Sequence, residues 1–594
     1  MTELRLTRRG LTALGFALLA TPAAAAASAA DARFARLAAS YIDQLARLSP
    51  VGATALGDHR FDTEIDDVSA AGRARRRAAG QALLRQAEAL PAAQLSRDNQ
   101  VDLALLKNQL RYDLWTDEVL QPWAWDPLTY NSVAGGALYG LMAREFAPRP
   151  QRLRSAIARM EKLPGLLAQA RAELVPARVP LIHAQTVARQ NKGVLSIVDT
   201  MILNDLAGLT PAEQARLKAA DAQLRSAVNA HQEWIEKTLV AQAKGDFRLG
   251  AKLYDQKLQF ALMSPMSRAE IRAAGEAALK QSRAEMYALS RKILAGRSGA
   301  PAAPETPDPA TEQKVIEAAL ELSYVDHAAR NGIVDMARGS IDQATRFVRE
   351  KDLITLPDAP VDIIIMPEFQ QGVAVAYCDS PGPLERHLKT FYAISPIPKD
   401  WSEQQAESFL REYNRRMVHD VNIHEAMPGH FVQIWHSNRH PSTLRAVLGS
   451  GPFVEGWGVY AEALMVEQGF LADDPLFQLT QLKMRVRTIT NAILDQMVHV
   501  DGAGEAEVMR FLTVTAFQQE REAAGKWTRA RVSSAQLPSY FVGVTEHDAL
   551  MTEARRRAGA GFDLKRYHDQ VLSYGSPPVR YARALMFDEP VAQA

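Results

Sequence analysis

Cysteine is almost missing from this 594-residue chain, with Cys378 its only example. A single thiol excludes an intramolecular disulfide, and it excludes zinc sites or iron–sulfur clusters built from several cysteines. Any metal must therefore be held by histidine and carboxylate. An excess of either charge is also missing, since 69 Lys and Arg face 68 Asp and Glu for a formal net charge of +1. That balance leaves no electrostatic footprint for nucleic acid, so none is expected as a partner. Aromatic residues are sparse at 7%, yet 47% hydrophobic and 23% charged residues are ordinary globular usage and exclude bulk disorder. No segment reaches the roughly 18 uninterrupted apolar residues of a membrane helix, so no stable span is expected. The length allows up to about four domains of roughly 150 residues, or one large helical body.

The N-terminus reads as an address. Arg5, Arg8 and Arg9 form a basic head, Leu11 to Ala20 an apolar stretch, and Ala27-Ser28-Ala29 a small-x-small cleavage pattern. Residues 1–30 are thus expected to be a cleaved export signal, with the mature chain starting near Asp31 in the periplasm or outside the cell. Thr7-Arg8-Arg9-Gly10-Leu11 resembles a twin-arginine signal, although a general secretory signal with two incidental arginines fits as well. No cysteine follows the apolar run to accept a lipid.

The rest is mainly helical in pattern. Residues 31–296 form an N-terminal helical part; in Leu153–Met160, for example, apolar residues recur at three- and four-residue steps. A Pro/Ala-rich loop or linker follows at 297–311, and a C-terminal helical part at 312–594. Within the latter, at about 361–398, the period changes. Val361–Pro367, Gly372–Tyr377 and Thr390–Ile394 are short β-branched or aromatic runs bounded by turn residues, predicting a small antiparallel sheet. One helix is expected to start near Ser402, with Glu407, Arg411 and Arg415 on its wet face, and to run into the string that carries the chemistry.

That string is His424-Glu425-Ala426-Met427-Pro428-Gly429-His430. Zinc hydrolases commonly place two histidines four apart on one helical face, with an adjacent glutamate to handle the water proton. Here the histidines are six apart, which on a regular helix sets them about 120° apart. Pro428 and Gly429 could supply a bulge that swings His430 back. A third ligand is expected from Phe453–Glu462, where Glu455 and Glu462 are seven apart and share a face at about 10 Å spacing. Both cannot easily reach one ion, so Glu455 is taken as the ligand and Glu462 as a group supporting the ligands from behind or a substrate contact.

HEAMPGHFVQ followed by VEGWGVYAE resembles the bacterial family called domain of unknown function 885, grouped with gluzincin-type zinc metallopeptidases. Weaker similarities run along the chain: Ser49-Pro50 to Asp62, Trp125-Asp126-Pro127, Arg144–Arg149, Asp495 with His499, Gln536 with Tyr540 and Gly543, and Phe562 to Gly575. One position departs from the pattern, since many members carry a histidine where this chain has Phe431.

The resemblance implies a large multi-helix body with a deep, gluzincin-like cleft, and one Zn2+ held by His424, His430 and Glu455. Glu425 would be general base and acid in an exported peptidase of oligopeptides. Such an ion leaves a position for water and lowers its pKa to about 7. Tyr540 is the first choice to stabilise the oxyanion, because similar peptidases use a downstream tyrosine; His499 and His568 are rivals. Asp495 could orient a ligand imidazole. Gly372–Tyr377 or Phe391–Ile394 could bind an extended substrate as an added strand. Two alternatives use the same motif residues: a zinc hydrolase of non-peptide amides or esters, and a noncatalytic peptide-binding protein. The sequence selects no oligomeric state.

Overall fold

The computed structural model describes residues 28–593 except 359–360, 368–369, 372–375 and 399. The leader pattern before Ser28, including the twin-arginine string, lies outside the described residues. The first helix, Ala29–Leu48, begins two residues before the expected start of the mature chain, capped reciprocally by Ser28 and Asp31.

The protein is mainly helical, at 71% helix, with one small three-stranded sheet. Many helices start where the sequence supplies a cap. Ser267 with Glu270, Thr210 with Glu213 and Ser402 with Gln405 each satisfy two otherwise free backbone N–H groups. Apolar stripes from early and late helices meet in shared cores. Leu103 and Leu106 pack in one core with Leu444 and Tyr581, and Tyr254 and Ile271 in another with Ile489 and Phe541. The Pro/Ala-rich stretch joins helices Arg268–Leu294 and Pro309–Tyr324 and is tied down between them. The Tyr287 hydroxyl donates to the Pro304 carbonyl at 2.6 Å, and Arg291 Nε to that of Ala303 at 3.0 Å.

The sheet comprises β1 (Asp362–Ile365), β2 (Ala376–Asp379) and β3 (Phe391–Ile394) in the order β1-β3-β2. It is mixed rather than antiparallel: β3 pairs antiparallel with β2 but parallel with β1. Short-range pattern marks strands but not their neighbours, and insertion of β3 between β1 and β2 makes the parallel pair. Phe391–Ile394 is therefore the central strand and has no free edge to offer. Of the other candidate, 372–375 lies outside the described residues, and Ala376-Tyr377 begins edge strand β2.

Six helices build the candidate site: α1 (Arg415–Glu425), α2 (His430–Ser437), α3 (Gly451–Glu467), α4 (Pro475–Gln496), α5 (Glu520–Val532) and α6 (Pro538–Ala558). The single helix expected from Ser402 is two. Glu403–Glu412 ends at Tyr413, and the Asn414 side chain accepts from the Arg416 and Met417 N–H groups to start α1. α3 lies against α6 so closely that a Cβ on Gly456 would come within 2.3 Å of the Gly543 carbonyl carbon.

The N-terminal part is tied to the segment after β2 through His59. Its Nδ1 meets Asp62 at 2.8 Å, its Nε2 meets Glu385 at 2.7 Å, and its ring stacks on Phe146. Burial opposes the imidazolium, but the two carboxylates prevail and raise its pKa from 6.5 to about 9. A raised folded pKa stabilises below the unfolded value and is lost as pH climbs through the folded one. Stability should thus fall between about pH 6.5 and 9, by roughly 2 kcal/mol after allowing for partial exposure. Denaturation against pH checks this. His59→Gln should flatten the slope in that window, and an unchanged slope would assign it to other groups.

Candidate metal centre

α1 ends at Glu425 and α2 begins at His430, so the two histidines lie on different helices rather than on one bulged helix. The Met427–Pro428 bond is cis. Gly429 lies where the chain folds back on α1, and a Cβ there would stand 1.8 Å from the His424 carbonyl oxygen. No side chain fits. Trp457 of α3 pins the turn from behind, its Nε1 donating to the Pro428 carbonyl at 2.9 Å.

The fold-back brings the rings of His424 and His430 to 4.6 Å between centroids, nearly perpendicular. Their Nε2 atoms stand 3.6 and 3.5 Å from one and the same oxygen, Oε2 of Glu455 on α3. Donors around a tetrahedral zinc, each about 2.0–2.2 Å from the ion, lie about 3.4 Å from one another. Both distances to Glu455 Oε2 match that spacing, so the three side chains could hold one such ion.

Glu462 takes the other side of His424. Its Oε1 lies 2.6 Å from Nδ1. A carboxylate on Nδ1 keeps the proton there and leaves the Nε2 lone pair for a metal. The seven-residue spacing explains how Glu455 and Glu462 reach opposite nitrogens of one ring. His424 lies across α3 between them, over Gly458, where a Cβ would come within 2.6 Å of its Cε1. Any larger residue at 458 would expel the ring. The Nδ1 of His430 is buried without a hydrogen-bond partner among the described residues.

Glu425 also joins the cluster: His424, Glu425 and His430 offer ligand atoms all within 4.8 Å of one another. Its Oε2 accepts the Cys378 N–H from the edge of β2 at 3.0 Å. Burial pushes its carboxyl above the usual range, against the pull of the two imidazoles. Burial alone would depress His424 and raise Glu455, but their hydrogen bonding and charge reverse both: His424 rises well above its usual value, and Glu455 is held far below. Behind them Asp420 is fully buried with neither oxygen bonded to a described residue, and burial, then the Glu462 charge, pushes its carboxyl well above the usual range.

Tyr540 of α6 stacks on His424 at 6.0 Å between centroids, and its hydroxyl accepts from Arg529 Nη2 at 3.1 Å. Burial raises its pKa, so the phenol keeps its proton. Gln536 completes the rim, donating to Glu455 Oε1 at 3.3 Å. Tyr540 and Arg529, with His424, Glu425, His430, Glu455 and Glu462, line a cavity of about 480 Å³ bounded also by β2, α4 and α5.

Three other candidates lie elsewhere. His499 Nε2 points at the carbonyls of Ala530 and Ser533, both at 2.8 Å. Asp495 accepts from the Tyr254 hydroxyl and the Ala535 N–H, both at 2.7 Å, and touches neither ligand imidazole. The two instead bind the α5–α6 connection that carries Gln536. His568 lies beneath Trp457, between the Tyr460 hydroxyl at 2.7 Å and the Leu353 carbonyl at 2.8 Å. Each is buried and held in the core by these bonds, although Asp495 Oδ1 and His499 Nδ1 have no partner among the described residues. Conversely, nothing in the sequence gives Arg529 a site role, and the only pointer to Gln536 is its similarity-bearing spacing with Tyr540 and Gly543.

The family model described as a bacterial protein of unknown function (DUF885) matches residues 50–586. A solved candidate lipoprotein of unknown function from Shewanella oneidensis is 33% identical, covering 93% of this chain and 99% of its own, with a TM-score of 0.76. A candidate lipoprotein from Colwellia psychrerythraea shares the fold at 16% identity and a TM-score of 0.74, covering 93% and 98%. No curated protein matches the chain.

Proposed function

This chain belongs to the DUF885 family, whose description carries no chemistry, and from the site itself we propose that it is an exported, zinc-dependent peptidase of oligopeptides, gluzincin-like in its ligand order. The observation that carries the reading is the convergence of His424 Nε2 and His430 Nε2 on Glu455 Oε2 at 3.6 and 3.5 Å, with Glu425 beside them in the lining of a cavity. Export is supported by the leader pattern and by the description of both solved relatives as candidate lipoproteins.

His424, His430 and Glu455 would hold the ion, which when bound supplies Lewis acidity and a water acidic enough to ionise near pH 7. The remaining chemistry belongs to the chain. Glu425, with a raised pKa and one oxygen steadied by the Cys378 N–H, would take a proton from the attacking water and pass it to the leaving amine. Tyr540 keeps its hydroxyl proton while Arg529 occupies the oxygen's lone pair, so its O–H is free to donate to the developing oxyanion. The outer edge of β2 borders the cavity and can pair with an extended backbone.

The test is a mixture of oligopeptides incubated with zinc-loaded protein and followed by mass spectrometry. Chelator-sensitive cleavage, restored by zinc, is expected. Intact peptides alongside hydrolysis of non-peptide amides or esters would transfer the site to a different substrate, and no hydrolysis at all would leave a binding protein.

A further inference from the structure

The wall of the cavity formed by α5 is strongly cationic. Arg521, Lys526 and Arg529 line it from one helix, and Arg487 joins them from α4. Arg487 is already matched by Glu522 at 2.5 Å, and the neighbouring Glu412 by Lys483 at 2.8 Å. The others lack such a match among the described residues. Arg529 donates only to neutral oxygens, Gln536 Oε1 at 2.8 Å and Tyr540 Oη at 3.1 Å. Arg521 lies over the Trp401 ring at 4.1 Å. Lys526 is 4% exposed, lines the cavity, and makes no hydrogen bond or ion pair with a described residue.

A buried, unpartnered ammonium is costly unless something else completes it. Burial, then the charges of Arg487 and Arg529, depress the Lys526 pKa well below its usual value. An anion in the cavity would remove that penalty.

We propose that Lys526 and Arg529 receive the free C-terminal carboxylate of the peptide substrate, which makes the enzyme one that trims peptides from the C-terminus. This rests on the peptidase reading and deepens it. Arg529 touches Tyr540, which stacks on His424, and Lys526 lies three residues back along α5, about 4.5 Å along its axis. Both cations line the same cavity as His424, His430 and Glu455. The chain end and the scissile bond would therefore share that cavity, within a few residues of each other. An acidic side chain presents the same anion, so the test separates the two sources.

Three N-acetylated peptides of one sequence serve as probes: the free acid, its C-terminal amide, and an amide carrying an added internal glutamate. Their kcat/KM is measured on zinc-loaded wild type, Lys526→Met and Lys526→Arg, and their affinity on zinc-loaded Glu425→Gln with and without Lys526→Met. The free acid should exceed both amides by about tenfold or more in kcat/KM and in affinity, the scale of a charge-assisted contact. Lys526→Met should erase that preference mainly through KM, and Lys526→Arg should restore most of it. Equal handling of acid and amide overturns the proposal while leaving peptide hydrolysis intact. Rescue of the amide by internal glutamate overturns the C-terminal assignment in favour of acidic side chains. Absence of all hydrolysis with the acid preference in binding preserved overturns the peptidase reading instead.

Discussion

Replacing Glu425 by glutamine should slow peptide hydrolysis by at least about a thousandfold while leaving the bound metal in place. The substitution keeps the size and the oxygen that meets the Cys378 N–H at 3.0 Å, so packing and the β2 contact survive. It removes the one carboxylate that stands among the ligand atoms without being one of the three proposed donors. General base and acid catalysis is worth about 10²–10⁴ in rate. A group used in both directions, first on water and then on the leaving amine, should lie towards the upper end. Steady-state kinetics with zinc content determined on the same sample checks this. Loss of metal together with activity would recast Glu425 as a ligand, and near-normal activity would remove it from the chemistry.

The second large effect concerns the ligands. His430→Ala and Glu455→Gln should each weaken zinc binding by at least about a hundredfold, since metal affinities of about 10–16 kcal/mol at structural zinc sites are shared among a few donors. Activity should fall in proportion to occupancy. Glu462→Gln acts at one remove, through His424 Nδ1 at 2.6 Å, and should cost about 10–100-fold. Competition with a chelator of known affinity separates the two classes. Equal losses across all three variants would mean that Glu462 and Glu455 are not distinguished as the structure distinguishes them.

Much of this site was legible in the sequence because it depends on short-range spacing. A seven-residue step on a helix places Glu455 and Glu462 on one face whatever surrounds them, and they reach opposite nitrogens of His424. The six-residue step between the histidines was legible as a problem but not in its solution. One bulged helix was expected, whereas the chain ends α1, folds back at Gly429 and starts α2 at His430. What failed depends on long-range packing. Nothing local in Asp495, His499 or His568 reveals that Tyr254, Ala530 or Tyr460 will occupy them. Likewise the runs at 362–365 and 391–394 announce strands but not that they pair in parallel. Lys526 and Arg529 stand in no motif, and only the fold turns them into a cavity wall.

The most direct test is anomalous diffraction at the zinc edge from crystals of the protein grown with zinc. A single strong peak is predicted within about 2.0–2.2 Å of His424 Nε2, His430 Nε2 and Glu455 Oε2. No peak among those three atoms, in crystals where zinc is present and the rings are ordered, would contradict the account at its root.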